Sequence, residues 1–189
     1  MRSRPRRSSL GWPFLLAILL AALPARPADR SLEYAVKATF LYKFAFFVDW
    51  PPGAFERESS PFELCIVGTD PYGGRIQDAV AGRSVGRHPI VLRRLARAEP
   101  RFQCHAMLVS EKNRERAEAA LRAVRGTPTL TVTDSSLGNT AGVIHFVIVD
   151  DRVSFDIDKA AATANHLAIS SKLLALARRV NTSPAGTIE

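Results

Sequence analysis

YAVKATFLYKFAFFVDWPP, residues 34–52, is the stretch of sequence that decides the fold. On a helical wheel its apolar side chains form two faces. Val36, Phe40, Phe44 and Phe47 make a stripe bordered by Lys37 and Lys43, and the second face consists of Ala38, Leu41, Tyr42, Ala45 and Phe46. A helix that is apolar on nearly every side is a buried helix, and these apolar runs are shorter than the about 20 residues of a membrane span. The stretch therefore predicts a core helix, which ends near Trp50 because Pro51 disfavours helical geometry in the residue before it.

The two apolar faces of this helix leave two interpretations open. Either its own chain covers both faces, or the second face packs against another chain. One small core does not cover both faces unless the helix is enclosed on two sides. We therefore predict a homodimer in which this helix, or the apolar end of the chain, contributes to the contact.

Residues 1–25 have the pattern of a secretory signal. Four arginines precede the apolar run Leu10–Leu23, and small residues follow it. A basic head, a short apolar centre and a small-residue end are typical of a cleaved signal. We predict cleavage after Ala25, with Ala28 as the alternative site. The rest of the chain predicts one domain, residues 29–181, followed by a flexible tail, residues 182–189.

The charge of the chain changes once this segment is set aside. The full sequence has 26 basic and 18 acidic residues and a net charge of +8, but four of the arginines belong to the predicted signal. The remaining 22 basic and 18 acidic residues give a net charge of +4. No basic run interleaved with aromatic residues remains, which argues against a nucleic-acid-binding protein.

The chain has two cysteines, Cys65 and Cys104. An even number of cysteines in an exported chain favours a disulfide, and two buried free thiols are the alternative. The sequence contains no C-x-x-C motif, so neither a redox pair nor a zinc site is indicated.

Strand and helix patterns alternate through the middle of the chain. We predict strands at Phe62–Gly68, near Pro89 at a sheet edge, at Cys104–Ser110 and at Thr129–Asp134. A helix is predicted over Glu111–Arg125, capped by Ser110, and helix also covers most of residues 160–180. Val143–Asp158 is predicted to form a hairpin that turns at Asp150–Asp151. This order predicts a single-domain α/β fold with a mixed β-sheet flanked by helices.

Motifs that could carry chemistry are weak. GTDPYGG, residues 68–74, matches neither dinucleotide- nor mononucleotide-binding patterns and is better interpreted as a turn. Asp156 and Asp158 share one strand face and are better interpreted as solvated, with Asp158 capping the last helix. The four histidines are scattered, and no serine lies in a G-x-S-x-G elbow. We predict no enzyme activity, no metal and no cofactor.

Several blocks, taken in order, resemble one known family. EYAVKATFLYKFAFFVDWP, FELCIVGTDPYG, CHAMLV, FDID and LAISSKLLALAR are similar to successive blocks of the YfiR/HmsC-like periplasmic regulators, over about Glu33 to Val180. Lys43 stands where the family often has asparagine, and TAGV replaces a more usual double glycine near Gly142.

The resemblance implies an exported regulator and no enzyme. Members bind the periplasmic segment of a membrane-bound diguanylate cyclase, hold it inactive, lower cyclic di-GMP and restrain biofilm formation. An outer-membrane lipoprotein can sequester such a regulator. The family also pairs the cysteines corresponding to Cys65 and Cys104, whereas a second bridge found in some relatives has no cysteines here.

Asn165–Leu174 is the candidate segment for binding the cyclase, because its apolar residues do not fit one helical face. If Leu167 and Ile169 stand out of the core they would dock on the partner, with His166 and Lys172 at the rim; the alternative is that both are core residues.

Two other classes of function stay open. One is a small-molecule binding module with its pocket near Asp70–Gly74 or around Asn165 and His166, and the other is a hydrolase of unknown type.

Overall fold

The computed structural model describes residues 27–99, 101–138 and 140–183. The predicted signal segment, residues 1–25, and residues 184–189 of the predicted tail lie outside them. In chain order the elements are α1 (Pro27–Lys43), a 3₁₀ segment (Phe44–Phe47), β1 (Val48–Asp49), β2 (Phe62–Gly68), α2 (Arg75–Val80), β3 (Ser84–Val85), β4 (His88–Leu95), β5 (Ala106–Ser110), α3 (Arg114–Ala123), β6 (Leu130–Asp134), β7 (Ile144–Val149), β8 (Arg152–Asp158), α4 (Lys159–Ala164), β9 (Ala168–Ile169), α5 (Ser171–Leu176) and β10 (Arg179–Asn181).

One large mixed sheet organises the molecule. Its eight strands lie in the order β10-β8-β7-β6-β5-β2-β4-β3, and a separate small sheet pairs β1 with β9. The ladders from β4 through β2, β5 and β6 to β7 are parallel, whereas β7–β8 and β3–β4 are antiparallel. The predicted fold class, a mixed sheet flanked by helices, is confirmed.

The central strand β2 is buried on both faces. Phe62, Leu64 and Ile66 face the larger core, which contains α1 and α2, as the alternation predicts. Cys65 and Val67 are buried in a second, smaller cluster together with α3. A strand covered on both faces is typical of parallel sheets, and β2 pairs in parallel with both β4 and β5.

The disulfide between Cys65 and Cys104 is confirmed. The two sulfur atoms are bonded, and the bridge joins β2 to the residue that precedes β5 by two positions. Both residues are buried in the smaller cluster, so the bridge is part of the packing beneath α3.

The first helix ends earlier than predicted. Its α-helical part stops at Lys43, a 3₁₀ turn follows, and Val48–Asp49 is extended. The prediction of a helix reaching Trp50 was therefore wrong. Val48 pairs with Ile169 across the small sheet, and this tertiary pairing outweighs the helical preference of the preceding residues.

The C-terminal segment contains less helix than predicted. His166 has a left-handed backbone (φ 58°) that ends the α4 turn, and β9, α5 and β10 follow where helix was predicted over most of residues 160–180. Arg178 and Arg179 therefore do not cap a helix dipole; they bind Asp156 on β8, beside which β10 runs parallel. The predicted hairpin is confirmed, with Asp150 and Asp151 both left-handed in the turn.

Two helix caps test the capping predictions. Asn113, and not Ser110, caps α3 by accepting a hydrogen bond from the Arg116 amide, so that prediction was wrong. Ser110 is still in strand β5 and donates to the Thr69 carbonyl. Asp158 caps α4 as predicted, with its Oδ1 accepting from the Ala161 amide at 2.7 Å.

Candidate partner-binding surface

A buried ionic cluster fixes α1 on the sheet. The Lys37 ammonium group donates to Asp134 at the end of β6 and to Glu33 one turn earlier on α1. The Tyr72 hydroxyl donates to the second Asp134 oxygen at 2.7 Å. Burial raises the pKa of Asp134, but hydrogen bonds from Lys37, the Ser136 amide and Tyr72 outweigh burial and hold that pKa below its ordinary value. Burial, and then the charge of Asp134, raise the pKa of the Tyr72 phenol.

The role of Lys37 was not predicted from the sequence. The wheel placed it beside the apolar stripe, yet its side chain is completely buried. A lysine inside an otherwise apolar helix predicts a buried partner, because an unpaired buried charge is costly. That signal was present in the sequence, but it did not identify the partner, which lies 97 residues away.

The apolar side chains of the predicted stripe on α1 and the 3₁₀ segment differ in how deeply they are buried. Phe44 is buried between Phe146 and Phe155, whereas Val36, Phe40 and Phe47 are half-buried and Phe46 is 54% exposed. The α-helical wheel no longer applies after Lys43, because a 3₁₀ turn has three residues in place of 3.6. The wheel therefore placed Phe46 and Phe47 wrongly relative to Phe44.

The outer side of α1 and the 3₁₀ segment lines two shallow clefts. One, of about 260 Å³, is formed by Ala35, Val36, Thr39, Phe40 and Lys43. The other, of about 610 Å³, is formed by Tyr42, Lys43, Phe46 and Phe47 against the turn at Gly82–Ser84. We call the residues Val36, Phe40, Lys43, Phe46 and Phe47 the α1 surface.

Leu167 and Ile169 do not stand out of the core. Leu167 is 3% exposed and Ile169 is 9% exposed, and both belong to the main apolar cluster. The Leu167 amide donates to the Ala162 carbonyl, and Ile169 lies opposite Val48 in the small sheet. The condition for their docking on a partner is thus not met, and the core interpretation is the correct one.

The two predicted rim residues, His166 and Lys172, are exposed. Lys172 lies four positions before Leu176 on α5, so the two side chains share one helix face. Leu176 is 66% exposed, and Ala175 beside it is also exposed. We call Lys172, Ala175 and Leu176 the α5 surface. Helix was predicted over most of residues 160–180, whereas α5 ends at Leu176.

The polar groups proposed for a small-molecule pocket are used internally. Asp70 accepts from the amides of Tyr72 and Gly74 in the turn before α2. The Asn165 amide oxygen accepts from the Gly126 N–H, and its nitrogen donates to the Thr129 carbonyl. A cleft of about 330 Å³ lies between α3 and α4 beside Asn165, but that side chain is already committed to the fold.

Asp156 belongs to an arginine clamp. The Arg178 and Arg179 side chains both donate to it, which lowers its pKa to about 2. Within the described residues no group of three histidine, cysteine or acidic side chains is arranged to hold a metal ion. Through these two arginines the Asp156 carboxylate holds the C-terminal strand β10 against β8.

These observations define an α/β protein that presents apolar side chains on two helices, a class suited to binding other proteins. The chain belongs to the YfiR/HmsC-like family, whose model matches residues 34–178. This is a family of periplasmic regulators of cyclic di-GMP signalling. A comparison with curated proteins gave no match. Across the three described ranges, none of the helices has the length and apolar character needed to cross a membrane.

Proposed function

We propose that this protein is an exported negative regulator that binds the periplasmic segment of a membrane-bound diguanylate cyclase and represses it. Family membership over residues 34–178 is the observation that carries the proposal. Repression would lower cyclic di-GMP and biofilm formation without contact between the regulator and the nucleotide.

The α5 surface is the proposed contact with the cyclase. A few apolar anchors usually dominate the free energy of binding, and Leu176 is the most exposed apolar side chain on α5. Lys172 adds a positive charge one turn away on the same face. The helix is attached to the core through Leu173, which is buried, so its outer face is presented by a fixed scaffold.

The α1 surface is the proposed contact between two copies of the chain. Its two clefts lie along α1 and the 3₁₀ segment, and Phe46, which lines the larger one, is 54% exposed. A two-fold contact would place the Phe46 of each copy against the clefts of the other.

The repression is tested with a pair of matched variants. Leu176→Glu removes the anchor of the α5 surface, and Val91→Glu changes a 40% exposed valine on β4, at the other end of the sheet. Each variant is exported in a strain that lacks the wild-type regulator, and cellular cyclic di-GMP is measured. We expect Leu176→Glu to raise cyclic di-GMP to the level of the deletion strain, and Val91→Glu to keep it at the wild-type level.

Co-purification with each membrane-bound diguanylate cyclase of the same genome identifies the partner. If the wild-type chain retains none of them and its deletion leaves cyclic di-GMP unchanged, the proposed function is wrong. If a soluble Leu176→Glu variant still represses fully, the function stands and the contact lies elsewhere.

A further inference from the structure

A phenylalanine lies between two imidazole rings at the edge of the sheet where β2 begins. The Phe55 ring stacks on His88 with centroids 3.7 Å apart and on His105 with centroids 4.2 Å apart. Both stacks are nearly parallel, with interplanar angles of 12° and 13°. Phe55 belongs to the irregular segment 51–61 that joins β1 to β2, so the two histidines hold this segment against the sheet.

Hydrogen bonds fix the protonation state of His105. Its Nδ1 accepts from the Glu63 amide at 3.0 Å, so this nitrogen carries no proton. Its Nε2 lies 2.9 Å from the Ala54 carbonyl, to which it donates. The neutral tautomer with hydrogen on Nε2 makes both bonds, and the imidazolium cannot accept the first. His88 differs, because its Nδ1 lies 2.7 Å from the Ser60 carbonyl and donates in either charge state.

The surroundings of His105 disfavour its charged form. Burial lowers the pKa of His105 and the nearby His88 lowers it further, while the Ala54 carbonyl and the charge of Glu63 oppose the shift. The Glu63 carboxylate is engaged by Arg93 on β4 at 2.6 Å. In the connecting segment Glu58 pairs at the surface with Arg87. The Trp50 ring packs 5.9 Å from His105, and its indole nitrogen is buried with no hydrogen-bond partner among the described residues.

We propose that His88, Phe55 and His105 form a proton-sensitive clasp that releases segment 51–61 when His105 takes up a proton at Nδ1. The proton comes from solvent and occupies the position where the Glu63 N–H now donates. Two donors then face each other in a buried site, which opposes the closed arrangement. The proposal rests on the stack of Phe55 between the two histidines and on the two hydrogen bonds of His105, and it does not depend on the proposed function.

The clasp is connected to the α1 surface through a short stretch of chain. Trp50 directly follows β1, and β1 directly follows the 3₁₀ segment that carries Phe46 and Phe47. On the other side, Ser170, whose side chain caps α5, donates its backbone amide to the Phe47 carbonyl. Release of segment 51–61 would thus loosen one attachment of the surfaces that we assign to partners.

Tryptophan fluorescence reads the clasp directly. Trp12 and Trp50 are the two tryptophans of the sequence, and Trp12 lies in the predicted signal, so in a chain that begins at residue 26 the emission comes from Trp50 alone. We expect a red shift of the emission maximum as pH falls from 7.5 to 5.0, with a midpoint below 6.5, the ordinary pKa of histidine. The shift should be lost in His105→Asn, whose side-chain oxygen can still accept from the Glu63 amide, and kept in His88→Gln with a higher midpoint.

A second measurement keeps the proposal testable if a variant does not fold. Nitrogen chemical shifts of the His105 imidazole in the wild-type chain report which ring nitrogen carries the proton at neutral pH. A proton on Nδ1 at pH 7.5, or an unchanged Trp50 emission between pH 7.5 and 5.0, would overturn the proposal. His145→Asn serves as the specificity control, because burial also lowers the pKa of His145 but its Nδ1 contacts Thr133, away from the clasp.

Discussion

The ammonium nitrogen of Lys37 lies 2.8 Å from a carboxylate oxygen of Asp134, and neither side chain has any exposure to solvent. The pair joins the first helix to the end of β6, across 97 positions of sequence. Removing two charges from water is costly, so such a pair specifies one arrangement more than it adds net stability. It determines which face of α1 points to the sheet, and thereby which residues form the α1 surface.

Breaking this pair should destabilise the fold strongly. Lys37→Met leaves the buried Asp134 carboxylate without its cation, and we expect the free energy of unfolding to fall by about 3–5 kcal/mol in urea denaturation. The control is Lys43→Met on the same helix, where the side chain is exposed, and a change within about 0.5 kcal/mol is expected. The double variant Lys37→Met with Asp134→Asn should recover part of the loss. Equal stability of Lys37→Met and wild type would contradict this account.

The disulfide should contribute to stability through the loop that it closes. Cys65 and Cys104 are 39 positions apart, for which the chain-entropy model gives about 4 kcal/mol. We expect Cys65→Ala with Cys104→Ala to lower the free energy of unfolding by a similar amount, and thiol labelling of the unfolded, unreduced wild type to detect no free thiol. Two reactive thiols per chain would show that the bond does not form in the exported protein.

The clamp on Asp156 should respond only to strong acid. Hydrogen bonds from Arg178 and Arg179 lower the pKa of Asp156 from 3.8 to about 2, so the folded state binds this proton less readily than the unfolded state. Its stabilisation is therefore complete above pH 3.8 and is lost as pH falls towards 2. We expect the free energy of unfolding of the wild type to exceed that of Asp156→Asn by about 1 kcal/mol at pH 6. The difference is small because the arginines are partly exposed. Thermal unfolding at pH 6, 4 and 2 should show that difference shrinking to zero; a constant difference would assign the effect to packing.

The sequence predicted the elements whose signals are local. The β7–β8 hairpin follows from alternation and the Asp150–Asp151 turn, and the Asp158 cap follows from residue type and position. The pairing of Cys65 with Cys104 was favoured by an even number of cysteines in a chain predicted to be exported. Each of these conclusions depends on a few neighbouring residues or on a count, so no tertiary information was needed.

The features that failed depend on contacts distant in sequence. Leu167 and Ile169 resembled exposed anchors because no single helical face holds them, yet β9 pairs with β1, about 120 positions earlier, and this pairing buries Ile169. The prediction of helix up to residue 180 failed for the same reason, because β10 is held by β8 and by Asp156. The Phe55 clasp had no sequence signal, since Phe55, His88 and His105 come together only in the folded protein.

The α1 surface predicts how the chain associates with itself. Phe46 is 54% exposed and packs edge-on against Tyr42 of its own chain, so Phe46→Glu removes an exposed apolar group without opening a cavity in the core. We expect the wild type to sediment as a dimer at tens of micromolar and Phe46→Glu to sediment as a monomer, with unchanged thermal unfolding at low protein concentration. Leu176→Glu is the matched control, because it places the same charge on α5, and it should remain dimeric while losing repression of the cyclase. A monomeric wild type would refute the dimer, and a dimeric Phe46→Glu would assign the contact to another surface. The two variants together separate self-association from partner binding, since each is expected to abolish one property and leave the other.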